Sequence, residues 1–581
     1  MIGDLSWRRL TASWVGLAVG VVSALVQLGP VLGRGYVLTR DMVFVPRAPL
    51  DAHLLGIDTV PRGVPSDLLV ALASRVVPGD AVQDLVLLAI IALSGWGAAR
   101  LAVRLAGSTR TGAVSARSAM AMAVSAAVLY SWNPYLAERL RQGQWAVLVG
   151  YAALPWVAST ALAFYAGEAR AARRLFLALA FAAAGGASAE LLAVVVGLPI
   201  AWWPGSRLSW RRRIAQVGSA LVVVSLPWAI PALTAPGPYP ADRVGVLAFA
   251  ARADTPFGTV GSLLGLGGMW NAQVAMPGHG SFLVAAVALG LSVAALWALL
   301  RAGPVDAARG LVLAGVLGFA IAVWAAMPGV RRLAVSLGSS NAGGLLRDGQ
   351  RWLAPFVLLV ALGFGCLVRW AGTKVRFAPV LALAPVLLLP AAAWGSDGAL
   401  VAVHWPKAWT TASAAADRLP SGPVLVLPWT SQRQFGWNGD RVLAEPAADW
   451  LPRRVVADDS LRVGPSATPL EDPLARRIAA AVNGAGPLPP VLRAQGYSGV
   501  LVEADQPGAR SAIARLAGLE PVVTAPTLRL YAVRGAAPGR PPSAPRDAAL
   551  AGDLIAGLLI LSCLASLADI TTTGGRNVYR S

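Results

Sequence analysis

Three short polar segments interrupt a chain that is otherwise mostly apolar, and each carries residue types that do chemistry. The first is Tyr36-Val37-Leu38-Thr39-Arg40-Asp41-Met42-Val43-Phe44-Val45-Pro46, followed by Pro61-Arg62-Gly63-Val64-Pro65-Ser66-Asp67. Asp41 is a carboxylate in an apolar stretch, where loss of water would lift its pKa toward what a general base needs. The second is Trp132-Asn133-Pro134-Tyr135-Leu136-Ala137-Glu138-Arg139-Leu140-Arg141-Gln142-Gly143-Gln144-Trp145. Asn133-Pro134 would start a helix there, on which Glu138 shares a face with Arg141 and Gln142. The third is Asn341-Ala342-Gly343-Gly344-Leu345-Leu346-Arg347-Asp348-Gly349-Gln350-Arg351-Trp352. Arg347 and Arg351 are spaced to clamp a phosphate, since guanidinium forks match phosphate oxygens. Each segment also has a plain reading: an Arg40–Asp41 surface pair, an interfacial helix anchored by Trp132, Tyr135 and Trp145, and a solvated helix cap.

The elements that must hold these segments follow from composition. The 581 residues are 56% hydrophobic and only 13% charged, against roughly 25% charged in a soluble protein, so the chain needs lipid. Apolar runs long enough to cross a bilayer as helices recur along most of it. They fall at 12–33, 81–106, 117–132, 144–166, 173–184, 190–203, 214–233, 281–300, 308–327, 352–369, 377–394 and 548–568. The run at 173–184 is too short to cross alone and ends in Gly185-Gly186-Ala187-Ser188, which predicts a broken or re-entrant pair. The N-terminal run resembles a signal peptide but is too long, and no A-x-A site follows it.

Loops between the runs alternate in character. Short basic ones carry Arg8/Arg9, Arg100/Arg104/Arg110/Arg117, Arg170/Arg173/Arg174, Arg207/Arg211/Arg212/Arg213, Arg301/Arg309, Arg369/Lys374/Arg376 and Arg576/Arg580, and read as cytoplasmic. The longer mixed loops at 34–80, 132–143, 234–280, 328–351 and 395–547 read as outside, with both termini in the cytoplasm. All three polar segments fall on that outer face.

The fold class expected is therefore an α-helical polytopic membrane protein of about 12 spans. It divides into a transmembrane domain (1–395), an extracytoplasmic soluble α/β domain (396–547), and a last transmembrane helix with a cytoplasmic tail (548–581). Within the soluble part, 424–428, 499–502 and 528–533 read as strands, and 473–482 and 508–516 as helices. A Pro-rich stretch at 536–545 links it to the last span. Trp405, Trp409, Trp429 and Trp437 suit either a carbohydrate platform or a buried core.

Other chemistries are excluded or unsupported. The formal charge of +20 comes mostly from Arg residues, many in short loops where they orient helices, which argues against nucleic acid. Cys366 and Cys563 lie inside apolar runs and support neither a disulfide framework nor a zinc site. His53, His279 and His404 lie far apart without metal-binding spacing. No metal ligand set and no cofactor is required by the sequence, although a divalent cation is compatible with it.

The N-P-Y-x-x-E-R-x-x-x-G-Q-W segment, the R-D-x-Q-R-W element and the acidic residue of the first outer loop resemble the GT-C superfamily of polyprenyl-phosphate-dependent glycosyltransferases. The likeness covers roughly residues 1–395 and is strongest to actinobacterial arabinofuranosyl- and mannosyltransferases. It implies a GT-C-like bundle in the bacterial inner membrane that passes a sugar from a polyprenyl-phosphate donor to an envelope glycan or lipid, with inversion. On that resemblance Asp41 is the candidate base, with Glu138 supporting it or the acceptor. Arg139, Arg141, Arg347 and Arg351 would bind the donor phosphate, and Arg40, Asn133, Gln144, Asp348 and Gln350 would position substrate. Several family members pair two acids in the first loop, whereas Asp41 is flanked by Arg40 and Met42. Two other classes stand beside this one: an envelope-lipid transporter or flippase, to which the Gly185-Gly186 break near Glu190 points, and a non-catalytic scaffold.

Overall fold

The computed structural model describes residues 2–106, 114–234, 243–339, 343–372, 378–463, 466–536 and 546–574. Arg110, Asn341, Ala342, Lys374, Arg376, Arg576, Arg580 and all but the first residue of the Pro-rich linker lie outside the described residues. Among the described residues, seven helices are long and apolar enough to cross a membrane: Thr11–Val31, Gly79–Ala106, Trp145–Tyr165, Trp210–Thr234, Phe282–Ala302, Gly349–Gly372 and Arg546–Leu567. Ala116–Ser131, Ala171–Ala183, Ala187–Ala201 and Ala308–Trp324 are shorter helices on further apolar runs. The chain is a multi-pass membrane protein.

The expected span at 377–394 is not one helix. Pro379, Pro385 and Pro390 divide it into Ala378–Leu381, Ala384–Leu388 and a 3-10 turn at Pro390–Ala392, because each proline lacks a donor and crowds the preceding turn. The chain nevertheless returns to the end of the bundle from which Gly349–Gly372 departs, since Ala402–Val403 pairs antiparallel with Tyr36–Val37. The expected break after 173–184 is present: Ala171–Ala183 ends before Gly186, whose φ is +83°.

Helix Ala354–Gly372 forms the centre of the bundle and is buried nearly throughout. It packs against Ala116–Ser131, Phe282–Ala302 and Ala308–Trp324. The first helix crosses Gly79–Ala106 through small residues, as membrane helices do when close backbone approach replaces hydrophobic attraction. A Cβ on Gly20 would stand 2.4 Å from the Ala92 carbonyl oxygen. Helices Trp210–Thr234, Phe282–Ala302 and Arg546–Leu567 turn Val222, Leu233, Phe282, Leu283, Leu554 and Leu558 outward, an apolar surface suited to lipid.

Residues 402–533 form a mixed five-stranded sheet ordered Glu520–Thr524, Leu528–Ala532, Gly499–Glu503, Val424–Leu427, Val455–Val456. Val424–Leu427 pairs parallel with both Gly499–Glu503 and Val455–Val456, whereas Leu528–Ala532 pairs antiparallel with both Gly499–Glu503 and Glu520–Thr524. Helices Pro473–Asn483 and Ala509–Ala514 agree with the two expected. Strands Val455–Val456 and Glu520–Thr524 were not expected: the first is two residues long, and the second is mostly exposed with a proline inside. Trp409 is core at 1% exposed, and the half-buried Trp405 packs edge-on or tilted among Trp409, Trp437 and Trp450 at ring separations of 5.0–5.5 Å, while the half-buried Trp429 packs on the other side of the sheet's core. Trp405 also donates to the Phe44 carbonyl at 2.9 Å, which ties the sheet to the bundle's first loop.

Substituting Gly20 by Leu is expected to cost about 1–3 kcal/mol, as overpacking does, whereas Gly290→Leu, where a Cβ meets nothing within 4 Å, is expected to be tolerated. Melting temperatures of the two detergent-solubilised variants test this; equal values would refute the close crossing.

Candidate active site

The first loop is held through its main chain, by a glutamine side chain and by strand-like pairing, and this places Asp41. Val37 exchanges bonds with the buried Gln83 amide at 2.8 and 2.9 Å. Three residues on, Arg40 donates its N–H to Val442 O at 2.6 Å and accepts from Ala444 N at 2.8 Å, so the segment is stitched to the Gln432–Gln434/Val442–Ala444 hairpin. Arg40 adopts φ +48°, an uncommon left-handed conformation for a non-glycine residue, and the chain turns there. Asp41 then donates its N–H to Gln142 O at 3.1 Å.

The second segment forms the predicted helix, Pro134–Gln142. Asn133 caps it: its Oδ1 accepts from Leu136 N at 3.0 Å, while its amide donates to Leu129 O, Tyr130 O and the Tyr151 hydroxyl at 2.9–3.0 Å. A side chain so engaged is a helix cap and does not position substrate, which corrects the expectation for Asn133. The helix ends at Gly143, with φ +81°, where a Cβ would stand 2.3 Å from Met42 N. No other residue type brings Gln144 and Asp41 this close.

The Asp41 carboxylate accepts from Gln142 Nε2 at 3.2 Å and Gln144 Nε2 at 3.1 Å. The residue remains open to solvent although protein crowds its other sides. That crowding pushes its pKa above the ordinary aspartate range, against the Gln142 and Gln144 donors and the Arg40 charge. The Arg40 guanidinium donates to Gln273 at 3.0 Å.

Arg139 is fully buried, and its five donors are all used. Nε and Nη2 donate to Gln350 Oε1 at 2.9 and 2.5 Å, Nη1 and Nη2 to the two Asp348 oxygens at 2.5 and 2.9 Å, and Nη1 also to Gln144 Oε1. A saturated, buried guanidinium has nothing to offer a phosphate, so Arg139 is not the donor-binding residue expected of it. Burial alone would raise the Asp348 pKa, but Arg139 outweighs it and holds the group below the usual carboxylate range. Asp348 also caps the 3-10 turn Gly349–Leu353. Gln350, fully buried, donates to Glu138 Oε2 at 3.4 Å.

The remaining arginines are differently engaged. Arg141 donates to Ser396 O at 3.0 Å with its Nε unpartnered. Arg351 bonds Ser188, next to the Gly185-Gly186 break, and lies 3.7 Å from Asp348. Arg347 pairs with Glu471 at 3.1 Å, and Arg62 holds the other Glu471 oxygen at 2.7 Å. Burial opposes it, but Arg62 and then Arg347 keep the Glu471 pKa lowered.

The three segments thus converge at one end of the bundle: Asp41 bonds Gln144, Gln144 bonds Arg139, and Arg139 bonds Asp348 and Gln350. Sequence reasoning missed Glu471, Asp254, Asn271 and Gln273, isolated polar residues with no motif around them. Asn271 joins the site by donating to Gln142 Oε1 at 2.8 Å. Among the described residues, no group of three or more His, Cys, Asp or Glu side chains is arranged to hold a metal ion.

No protein-family profile and no curated protein sequence matches the chain. Among solved structures, it is similar to arabinofuranosyltransferase AftD from Mycobacteria, with a TM-score of 0.58 and 19% identity over 92% of this chain and 40% of that one. Two structures of a mutant AftD give TM-scores of 0.56 and 0.53 at 19% and 20% identity, covering 91% and 90% of this chain and 42% and 41% of theirs. The chain spans well under half the length of AftD, and the likeness shows a shared fold.

Arg139→Met is expected to destabilise the protein by about 3–5 kcal/mol, because it leaves Asp348 buried without its partner. Adding Asp348→Asn should recover part of the loss. Thermal unfolding of both variants decides; a wild-type melting temperature for Arg139→Met would rule the network out as a structural requirement.

Proposed function

We propose that the protein is a membrane glycosyltransferase that moves a sugar from a polyprenyl-phosphate donor to an envelope glycan or lipid. The observation that carries this is a solvent-open carboxylate, Asp41, bonded to two glutamine amides at the same end of an AftD-like bundle as Arg347 and Arg351. AftD is described as an arabinofuranosyltransferase, which supports the reaction class. The short basic loops support a reading in which the site and residues 396–547 face the extracytoplasmic side of the bacterial inner membrane and both termini are cytoplasmic.

In this reading Asp41 takes the proton of the acceptor hydroxyl as that oxygen attacks the anomeric carbon. The phosphate leaves with the electron pair of the broken bond, and the configuration inverts. Gln142 and Gln144 aim the carboxylate and prevent its rotation. Arg139, Asp348 and Gln350 position Gln144 and Glu138 without touching substrate. Arg347, Arg351 and Arg141 are the cations left to neutralise the departing phosphate. Arg347 reaches it by exchanging the Glu471 carboxylate for phosphate oxygens, with Arg62 as the second arm of that fork. The bilayer is the partner that holds the donor's tail beside the site, and these steps call for no cofactor.

Asp41→Asn is expected to reduce transfer by at least about a hundredfold, the scale of general-base catalysis, with the fold intact by melting temperature. For the wild type, activity should fall as pH drops through a pKa higher than that of an ordinary aspartate, because Asp41 must be ionised to accept the proton. Unchanged turnover in Asp41→Asn would refute the base. Arg347→Ala is expected to raise KM for the donor about tenfold, the scale of one charged hydrogen bond, with a smaller change in kcat; an unchanged KM would remove Arg347 from the phosphate site.

A further inference from the structure

Glu138 does not behave like the second ionised acid of a two-carboxylate site. It is fully buried, and its Oε1 has no hydrogen-bond partner, while Oε2 receives a long bond from Gln350. Two more buried polar atoms without partners lie close by: Asp254 Oδ1 and His279 Nε2. The geometry around Gly267 shows how tightly the three residues converge. A Cβ placed there would stand 2.4 Å from Asp254 Oδ2, 3.1 Å from His279 Nε2 and 3.2 Å from Glu138 Oε1. Asp254 Oδ2 accepts from Gly268 N at 2.7 Å, which fixes the carboxyl against Glu138.

Two ionised carboxylates are acceptors only, so side by side they leave Glu138 Oε1 without a bond and bury two like charges. A single proton between them resolves both faults. We infer that Glu138 and Asp254 form a dyad sharing one proton, with neutral His279 closing its open side, and that Asp254 is a positioning residue which keeps Glu138 a hydrogen-bond donor. The charged groups facing the dyad are Arg139 and Arg141 on the Glu138 helix. The Arg139 charge is already matched by Asp348, and Arg141 points to Ser396. Gln350, from the Gly349–Leu353 turn, is neutral. Consistent with this, burial first and then Asp254 raise the Glu138 pKa well above the ordinary range, and burial lowers that of His279. In the proposed transferase the dyad leaves Asp41 as the ionised acid of the site; its bearing on turnover rests on that reading, whereas the dyad itself rests on geometry.

The test is pH-difference infrared spectroscopy of the purified full-length protein in detergent, reading the carbonyl stretch of protonated carboxylic acids. The component absent from Glu138→Gln is assigned to Glu138. It is expected to be present at pH 7 in the wild type, and its titration midpoint should fall by at least about one pH unit in Asp254→Asn, which removes a neighbouring charge. Gly267→Ala, which spreads the three side chains without changing any of them, should lower the midpoint in the same direction and serves where Asp254→Asn fails to fold. A wild type lacking this component at pH 7, or a midpoint unmoved in the folded variants, overturns the dyad. Sugar transfer is measured separately in the same preparations. A titrating band without transfer would sink the transferase and keep the dyad, and transfer abolished only by Asp41→Asn with no such band would do the reverse.

Discussion

The buried Arg139 guanidinium is the constraint from which the rest of this site follows. Arginine cannot shed its proton in a protein, so a position with no access to water obliges the fold to surround it with acceptors. Asp348, Gln350 and Gln144 do so, and they come from segments more than two hundred residues apart on one side and five on the other. Each acceptor commits its own segment: Asp348 and Gln350 fix the entry to the central helix, and Gln144 fixes the entry to Trp145–Tyr165. Asp41 is then held from a residue that Arg139 has already immobilised. The site's precision is inherited from a charge that never meets substrate.

A second kind of contact is built to be exchanged. Arg62 and Arg347 reach Glu471 just ahead of helix Pro473–Asn483, the two arginines with side-chain exposures of 57% and 26% and the glutamate with 11%. Partly solvated ion pairs of this sort contribute little to stability, because water screens them and can replace either partner. A carboxylate gripped by two guanidinium groups presents the same oxygens that a phosphate would. The contrast with Arg139 is physical: a sealed pair cannot open without a stranded charge, whereas an open pair can trade one anion for another. The main-chain pairing of Tyr36–Val37 with Ala402–Val403 keeps Glu471 within reach of the bundle throughout.

The hydropathy pattern revealed most of the bundle because lipid imposes a length and a composition that each helix must meet alone. Where the pattern failed, at 377–394, local chemistry prevailed: three prolines divide a run whose composition is still apolar. The helix at 134–142 was equally readable, since Asn133-Pro134 and Gly143 are local start and stop signals. The roles of Asn133 and Arg139 were not, because cap or substrate, core or phosphate, depends on partners that only tertiary folding supplies. Glu471, Asp254 and His279 were harder still: each is a single polar residue in irregular chain, with neither period nor spacing to mark it. Arg347 and Arg351, read as one clamp from their spacing, turn to different partners, Glu471 and Ser188, because the 3-10 turn that begins at Gly349 does not keep the angular spacing of an α-helix.

The same environment separates the two acids that the sequence could only name together. Both Asp41 and Glu138 are crowded by protein, and crowding raises both pKa values. Asp41 keeps a solvent-facing side that water can reach and receives two amide donors, which stabilise its anion. Glu138 has no such opening, receives one long donor bond, and faces another carboxyl. Environments that push paired carboxyls apart assign their roles more firmly than distance to a reacting atom does. An ionised group that can be reached is fit to take a proton, and a sealed one is fit to hold it.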